Sequence, residues 1–513
     1  MRRTKLFVGL ASAILLALAS VTAFAEGPDG SGWWTNITIQ NTSSSSTANV
    51  TVTAYTQDSA DTTTYGTSSY GLAANTSVIY HPGLDATCGA AVSSATSGCR
   101  IGFSTALPSG FEGAAVVSSD SPVVSIVALH NNASGSVGVS SGSARGSYQG
   151  MDSSSAATTL YFPTVKNNFV GQTTAFFVQA AGVDANVTMT YTMQNGSTFV
   201  ANQTISANKS HAFFPAAASV PSCNGGNNTT CIGGAILTSD QPVAGSIVEY
   251  VDGASVADFV LATRALTPAD AGQNVIAPTL KSDFYGSSTG ASILNTGTDA
   301  QVVNLSFSVT NTDNDATCNN TVGQTVTDSV TVPAGGSVVV SRFQNNIGGL
   351  DDCTFFAMTA TSDDNPIVVT VNENNSGKKA VYFGFNSANA TTNVALPLVK
   401  ENFPGSNAQT TGITVVNAGS APTTVTATYV SSGGTTHVIQ SQSIAAGEAV
   451  PFFQIFNSPS HLTATSGGFP SAGTKHSVTI SSSGEPIVAL AQESDRANDG
   501  SPLDIYNYEG FNQ

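Results

Sequence analysis

Pro397-Leu398-Val399-Lys400-Glu401-Asn402-Phe403-Pro404-Gly405 echoes two earlier passages of the same chain. Its Pro-x-x-Lys-x-x-Phe-x-Gly spacing recurs at Pro163, Lys166, Phe169, Gly171 and at Pro278, Lys281, Phe284, Gly286. Three further features keep step with it. A Thr lies six residues before a strand end in Thr35 to Asn41, Thr174 to Ala180, Thr289 to Asn295 and Thr411 to Asn417. A small turn follows at Ala74–Ser77, Ala207–Ser210, Ala334–Ser337 and Ala446–Ala449. A polar turn then closes on Pro122, Pro242, Pro366 and Pro486, spaced 120, 124 and 120 residues apart and each followed by Val or Ile. Features in one order at one period mark a tandem array of four modules.

Within a module the hydrophobic period is two. Val50, Val52 and Ala54 alternate with polar residues, as do Val187, Met189 and Tyr191; Val303, Leu305 and Phe307; and Val425, Ala427 and Tyr429. Such alternation describes strands with one buried and one wet face. About seven runs per module, separated by Gly, Asn, Ser and Pro turns, predict an all-β chain of four Ig-like antiparallel β-sandwich modules. The modules span 26–155, 156–270, 271–390 and 391–513. A propeller blade is shorter than this period.

The composition agrees. The chain has 513 residues, 41% hydrophobic, with 32 acidic against 15 basic side chains. A net charge of −17 argues against nucleic-acid binding, which needs clustered Lys and Arg. Residues 1–25 read as a secretory signal peptide: Arg2, Arg3 and Lys5, an apolar run from Leu6 to Ala19, then Ala23-Phe24-Ala25 before Glu26. No later segment is apolar for long enough to suggest a transmembrane anchor. The expected location is secreted, extracellular or at the cell surface.

At Leu396-Pro397-Leu398-Val399-Lys400, Ser239-Asp240-Gln241-Pro242-Val243, Phe383-Gly384-Phe385 and Glu509-Gly510-Phe511, the chain resembles tandem Ig-like modules of uncharacterised bacterial secreted and cell-surface proteins. The resemblance implies fold and surface location and carries no chemistry. Module one departs from it. It begins at Gly32-Trp33-Trp34-Thr35 with no Pro-x-x-Lys-x-x-Phe-x-Gly segment, so a missing first strand would leave an edge open to another molecule. Trp33 and Trp34 lie at this assembly candidate; packing into the vacant place is preferred over stacking on sugar rings.

The six cysteines fall two per module in modules one to three. Fifteen pairings are possible, and Cys88–Cys99, Cys223–Cys231 and Cys318–Cys353 keep modules independent. The first two pairs look like loop staples at one common place, suited to an oxidising compartment. Modules two to four each carry a Lys in the leading segment and a Glu seven residues after the late Pro: Lys166 with Glu249, Lys281 with Glu373, Lys400 with Glu493. Module one has neither, with Leu129 at the Glu position. The joint occurrence predicts that the two meet as a partly buried ion pair. A Lys-Asn or Lys-Asp isopeptide bond is the sharper alternative, and no Asn repeats in the last strand to supply it.

Other candidate chemistry is weak. Gly286-Ser287-Ser288-Thr289-Gly290 spells a nucleophile elbow but overlaps an anchor and reads as a turn. His81, His130, His211, His437, His461 and His476 are scattered and read as surface or strand residues. Asp313 and Asp315 could offer oxygens to Ca²⁺, but their loop lacks the Gly and distal Glu of an EF-hand, so a solvated acidic loop is preferred. No catalytic residue, cofactor or metal is expected. The preferred function is non-enzymatic: a structural component of an extracellular layer, sheath or filament, partnered by copies of itself or other surface proteins. The alternative is an adhesin or glycan-binding protein that uses the sandwich-end loops.

Overall fold

The computed structural model describes residues 17–23, 33–43, 45–57, 61–66, 69–74, 76–80, 91–92, 99–103, 107–108, 111–131, 144–251, 260–313, 318–341, 348–375, 378–403, 409–431, 435–453, 461–496 and 502–512. Among these residues every long element is a β-strand, and the few helical turns are 3-10. The chain is all-β, with antiparallel sheets layered as sandwiches.

The third repeat shows the plan. In one sheet Thr325–Val332 pairs with the middle strand Gln301–Thr312, then the return strand Thr354–Ser362, then the leading strand Asn274–Ser282. In the other, Ser337–Ser341 pairs with the threonine strand Ser287–Asn295, then the late strand Ile367–Asn375, then the closing strand Lys378–Phe383. The fourth repeat uses Asn393–Glu401, Gln409–Asn417, Val425–Ser431, Thr474–Ser482, Ile487–Arg496 and Pro502–Glu509 in the same roles. In the second repeat one unbroken strand, Ile232–Val251, serves as return strand and then late strand, joining both layers. The alternating apolar positions form the cores, as in Val187, Met189 and Tyr191 or Val425, Ala427 and Tyr429, all essentially inaccessible.

Each sequence anchor has a local cause. The ladder of the leading strand skips between Phe162 and Val165, Ala277 and Leu280, and Leu396 and Val399. Each skip contains the anchor proline, which has no N–H to pair, so a bulge is where the strand tolerates it. The anchor threonines cap the lysine backbone: Thr174, Thr289 and Thr411 Oγ1 accept from Lys166, Lys281 and Lys400 N–H at 3.0, 2.9 and 3.0 Å. Asn41, Asn295 and Asn417 use Nδ2 and Oδ1 to hold the turn beyond their strand. The carbonyls of Pro122, Pro242, Pro366 and Pro486 each accept the N–H just past that strand end. The anchor Gly171 and Gly286 have φ of +76° and +77°, which a side chain would strain.

The first repeat has a strand of its own at the leading place. Ala17–Ala23, inside the stretch read as a signal peptide, is paired antiparallel with Gly113–Ser119, from Ala17 opposite Ser119 to Ala23 opposite Ala114. That is the leading-strand place, so the edge expected to be open is occupied in this structure. Valine and alanine suit a strand partner as well as an apolar leader, which is why composition alone does not separate the two roles.

Candidate functional site: the seams between repeats

The Lys–Glu pairs form at matching places in three repeats, and two of them lie where one repeat meets the next. Lys166 Nζ is 2.7 Å from Glu249 Oε1, Lys281 Nζ 2.6 Å from Glu373 Oε1, and Lys400 Nζ 2.8 Å from Glu493 Oε1. The side chains of Lys281 and Glu373 are only 10% and 1% exposed, so neither charge is solvated in the ordinary way. Burial of this kind is tolerable only where the remaining polar atoms are also partnered. They are: Gln172 Oε1 accepts from Lys166 Nζ at 2.6 Å, and Gln409 takes the same role for Lys400. Each contact has the geometry of a hydrogen-bonded ion pair.

The remaining partner comes from the following repeat. Asn372 Nδ2 donates to Glu249 Oε2 at 3.0 Å. Gln492 stands at the same place one repeat later, accepting from Lys281 Nζ at 2.6 Å through Oε1 and donating to Glu373 Oε2 through Nε2. The amide absent from any repeated Asn position is therefore supplied by the residue just before the next repeat's glutamate. A repeat alignment would have exposed it: that position reads Ala128, Val248, Asn372, Gln492.

Where the glutamate is replaced by Leu129, the seam changes character. Leu129, Val127 and Tyr148 pack with Phe177, Val248 and Tyr250 in one buried cluster. Apolar faces extend the other two seams as well. Tyr161 and Ile236 meet Leu294, Val368 and Phe383; Ile276 and Ala357 meet Val416 and Val488. Arg264, held by Asp270 in a two-pronged pair, stacks 5.0 Å from the Phe383 ring, and Phe383 N–H donates to Glu509 Oε1 at 3.0 Å. The repeats are thus packed on one another rather than independent. Lys379 also faces the second seam; burial and Lys166 pull its ammonium down to about 8, against the opposing pull of Glu249.

The other sequence candidates separate. Cys223–Cys231 and Cys318–Cys353 are disulfides, and Cys88 lies outside the described residues. Cys231 and Cys353 each sit just before a return strand, whereas Cys99 starts a short strand paired with Ser77–Tyr80. Ser288 is not in a turn but on the strand Ser287–Asn295, its Oγ accepting from Asp283 N–H at 3.2 Å. Trp33 and Trp34 open a strand opposite Asn131 and His130; their side chains lie outside the described residues. Asp313 Oδ2 accepts from Tyr285 N–H at 3.3 Å, and Asp315 lies outside the described residues.

The histidines are not all scattered. His437 and His476 approach within 5.6 Å, ring to ring, and both are buried. Both ring nitrogens of His476 lack a hydrogen-bond partner, and burial, with His437 adding to it, pushes its imidazolium down. Glu401, buried at the end of a leading strand, has its carboxyl pushed up to about 7 by desolvation. Among the described residues no three His, Cys, Asp or Glu side chains converge to hold a metal, and no helix is long and apolar enough to cross a membrane.

Comparison with known proteins adds little. No protein-family model and no curated protein matches the chain. Three solved structures show distant similarity. A Thermotoga maritima 1070 structure is 16% identical over 22% of this chain and 94% of its own, with a TM-score of 0.18. A tetra-tandem repeat from the extending region of a large adhesion protein is 12% identical over 96% of this chain and 99% of its own, with a TM-score of 0.11. A glycoside hydrolase family 32 structure from Bifidobacterium adolescentis is 10% identical over 92% and 99%, with a TM-score of 0.14.

Proposed function

We propose that this is a non-enzymatic structural protein of the bacterial exterior, a component of an extracellular layer, sheath or filament. The observation that carries the reading is the repeated seam. Three successive interfaces are built from matching positions, and the buried polar atoms at two of them are paired across repeats. Such construction favours a continuous load-bearing body over a string of separate binding modules. Disulfides in two repeats suit an oxidising exterior. Electron microscopy of the purified protein beside the extracellular material of producing cells tests this. Regular filaments or sheets that label with an antibody to the chain support it, and dispersed single particles with unlabelled material refute it.

The divergent loops favour a second reading. Cys223–Cys231 staples a single connection before its return strand, whereas Cys318–Cys353 ties the connection after Gln301–Thr312 to the start of the return strand, a divergence suited to ligand recognition by an adhesin. A glycan array probed with the purified chain addresses it directly.

A further inference from the structure

The first and fourth repeats expose positions that the seams between repeats bury. On the outer side of the late strands, Val368 and Val488 are 1% and 0% exposed, covered by the preceding repeat. Leu490, two residues on, is buried in the core cluster of the third repeat. Register places the first repeat's counterparts at Val124, opposite Gln40, and Ile126, opposite Thr38. They are 43% and 53% exposed.

The back of the array tells the same story. Thr164, the residue after its anchor proline, donates to Ser292 Oγ of the following repeat at 2.9 Å. Thr192, which follows the core Tyr191, lies against the next repeat's Gly335-Gly336 turn. The fourth repeat has Leu398 after its proline and Val430 after Tyr429, 41% and 38% exposed. Two threonines that serve a seam in the second repeat are thus replaced by aliphatic residues on the exposed back of the fourth. Ser292 pairs with Thr370, whose first-repeat counterpart is Ile126, so Leu398 would fall on the column that presents Ile126.

We propose that the back of the fourth repeat docks onto the front of the first repeat of a second copy, repeating between chains the seam that joins repeats within one. This rests on the structural reading above and gives it an interface. The contact is heterologous and adds chains head to tail, giving an open filament where the rotation between copies does not close and a ring where it does. One position is mismatched: Glu493 would face Ala128, where Asn372 and Gln492 present an amide internally.

The test is sedimentation and light scattering of the protein expressed from its complete reading frame. Ile126→Asp blocks the front and Val430→Asp the back; each alone abolishes association. Mixed one to one, they form two-chain particles and stop there, which also shows that both are folded. Ala128→Gln supplies the missing amide and lowers the half-assembly concentration by about tenfold, the size of a hydrogen bond to a charged group. If wild type and both variants associate alike, the proposal is overturned while the structural reading stands through another surface. If purified chains stay single although labelled filaments exist around cells, the faces belong to a different partner. If neither filaments nor association exist, both readings fall.

Discussion

Lys281 holds two carbonyl-type oxygens from two different repeats, so its loss removes more than one bond. Lys281→Met strands Glu373 and Gln492 in a dry seam, and the expected cost is about 3–5 kcal/mol in urea unfolding. Lys281→Met combined with Glu373→Leu and Gln492→Leu recovers most of it, because an apolar replacement of a buried pair is near neutral. The Leu129–Val248 seam is a natural instance of that replacement. Mass spectrometry of the intact chain should show no loss of ammonia at these lysines. The fourth repeat carries a pH response of both signs. Glu401 is raised, so the stability it contributes is complete below its ordinary value of 4.5 and is lost as pH rises through about 7. His476 is lowered, so its contribution is complete above 6.5 and is lost on acidification. Glu401→Gln should flatten the alkaline side of a melting-temperature profile. His476→Phe, which installs the third repeat's Phe356, should flatten the acid side and raise stability throughout.

At the level of strands and loops, the two disulfides should differ in worth. Their separations are 8 and 35 residues, and chain-entropy arguments give about 2.5 and about 4 kcal/mol respectively. Reduction should therefore loosen the third repeat before the second, which hydrogen exchange on the return strands would resolve. The elements themselves were legible in the chain because an anchor residue marks each turn: the bulge at Pro397, the cap from Thr411, the turn-holding Asn417. The Lys–Glu meeting was legible for the same reason, since both residues vanish together in the first repeat. The amides of Asn372 and Gln492 were not, because they vary in type and act across a seam that strand periodicity does not describe. The place of Ala17–Ala23 was not either, as a run of Ala, Leu and Val with Ser20 and Thr22 fits a sheet edge and an export leader equally well.

For the whole chain, the seams couple what would otherwise be separate units. In nearest-neighbour terms, stability is shared between each repeat and its contacts. Asn372→Ala removes one hydrogen bond and leaves Glu249 Oε2 unmet inside the second seam, at about 1–3 kcal/mol. The second repeat should then melt apart from the third, and a single calorimetric transition should split in two; an unsplit transition would mean that the apolar part of the seam suffices. The seams are also of two kinds. The one between the first and second repeats centres on an apolar cluster, and the other two also carry side-chain amide bonds to a buried Lys–Glu pair. Under a pulling or twisting force, oil slides and latches hold until they snap. A pulled chain is therefore expected to yield first between the first and second repeats, and a fibre built from such chains to bend at regular stations set by Leu129.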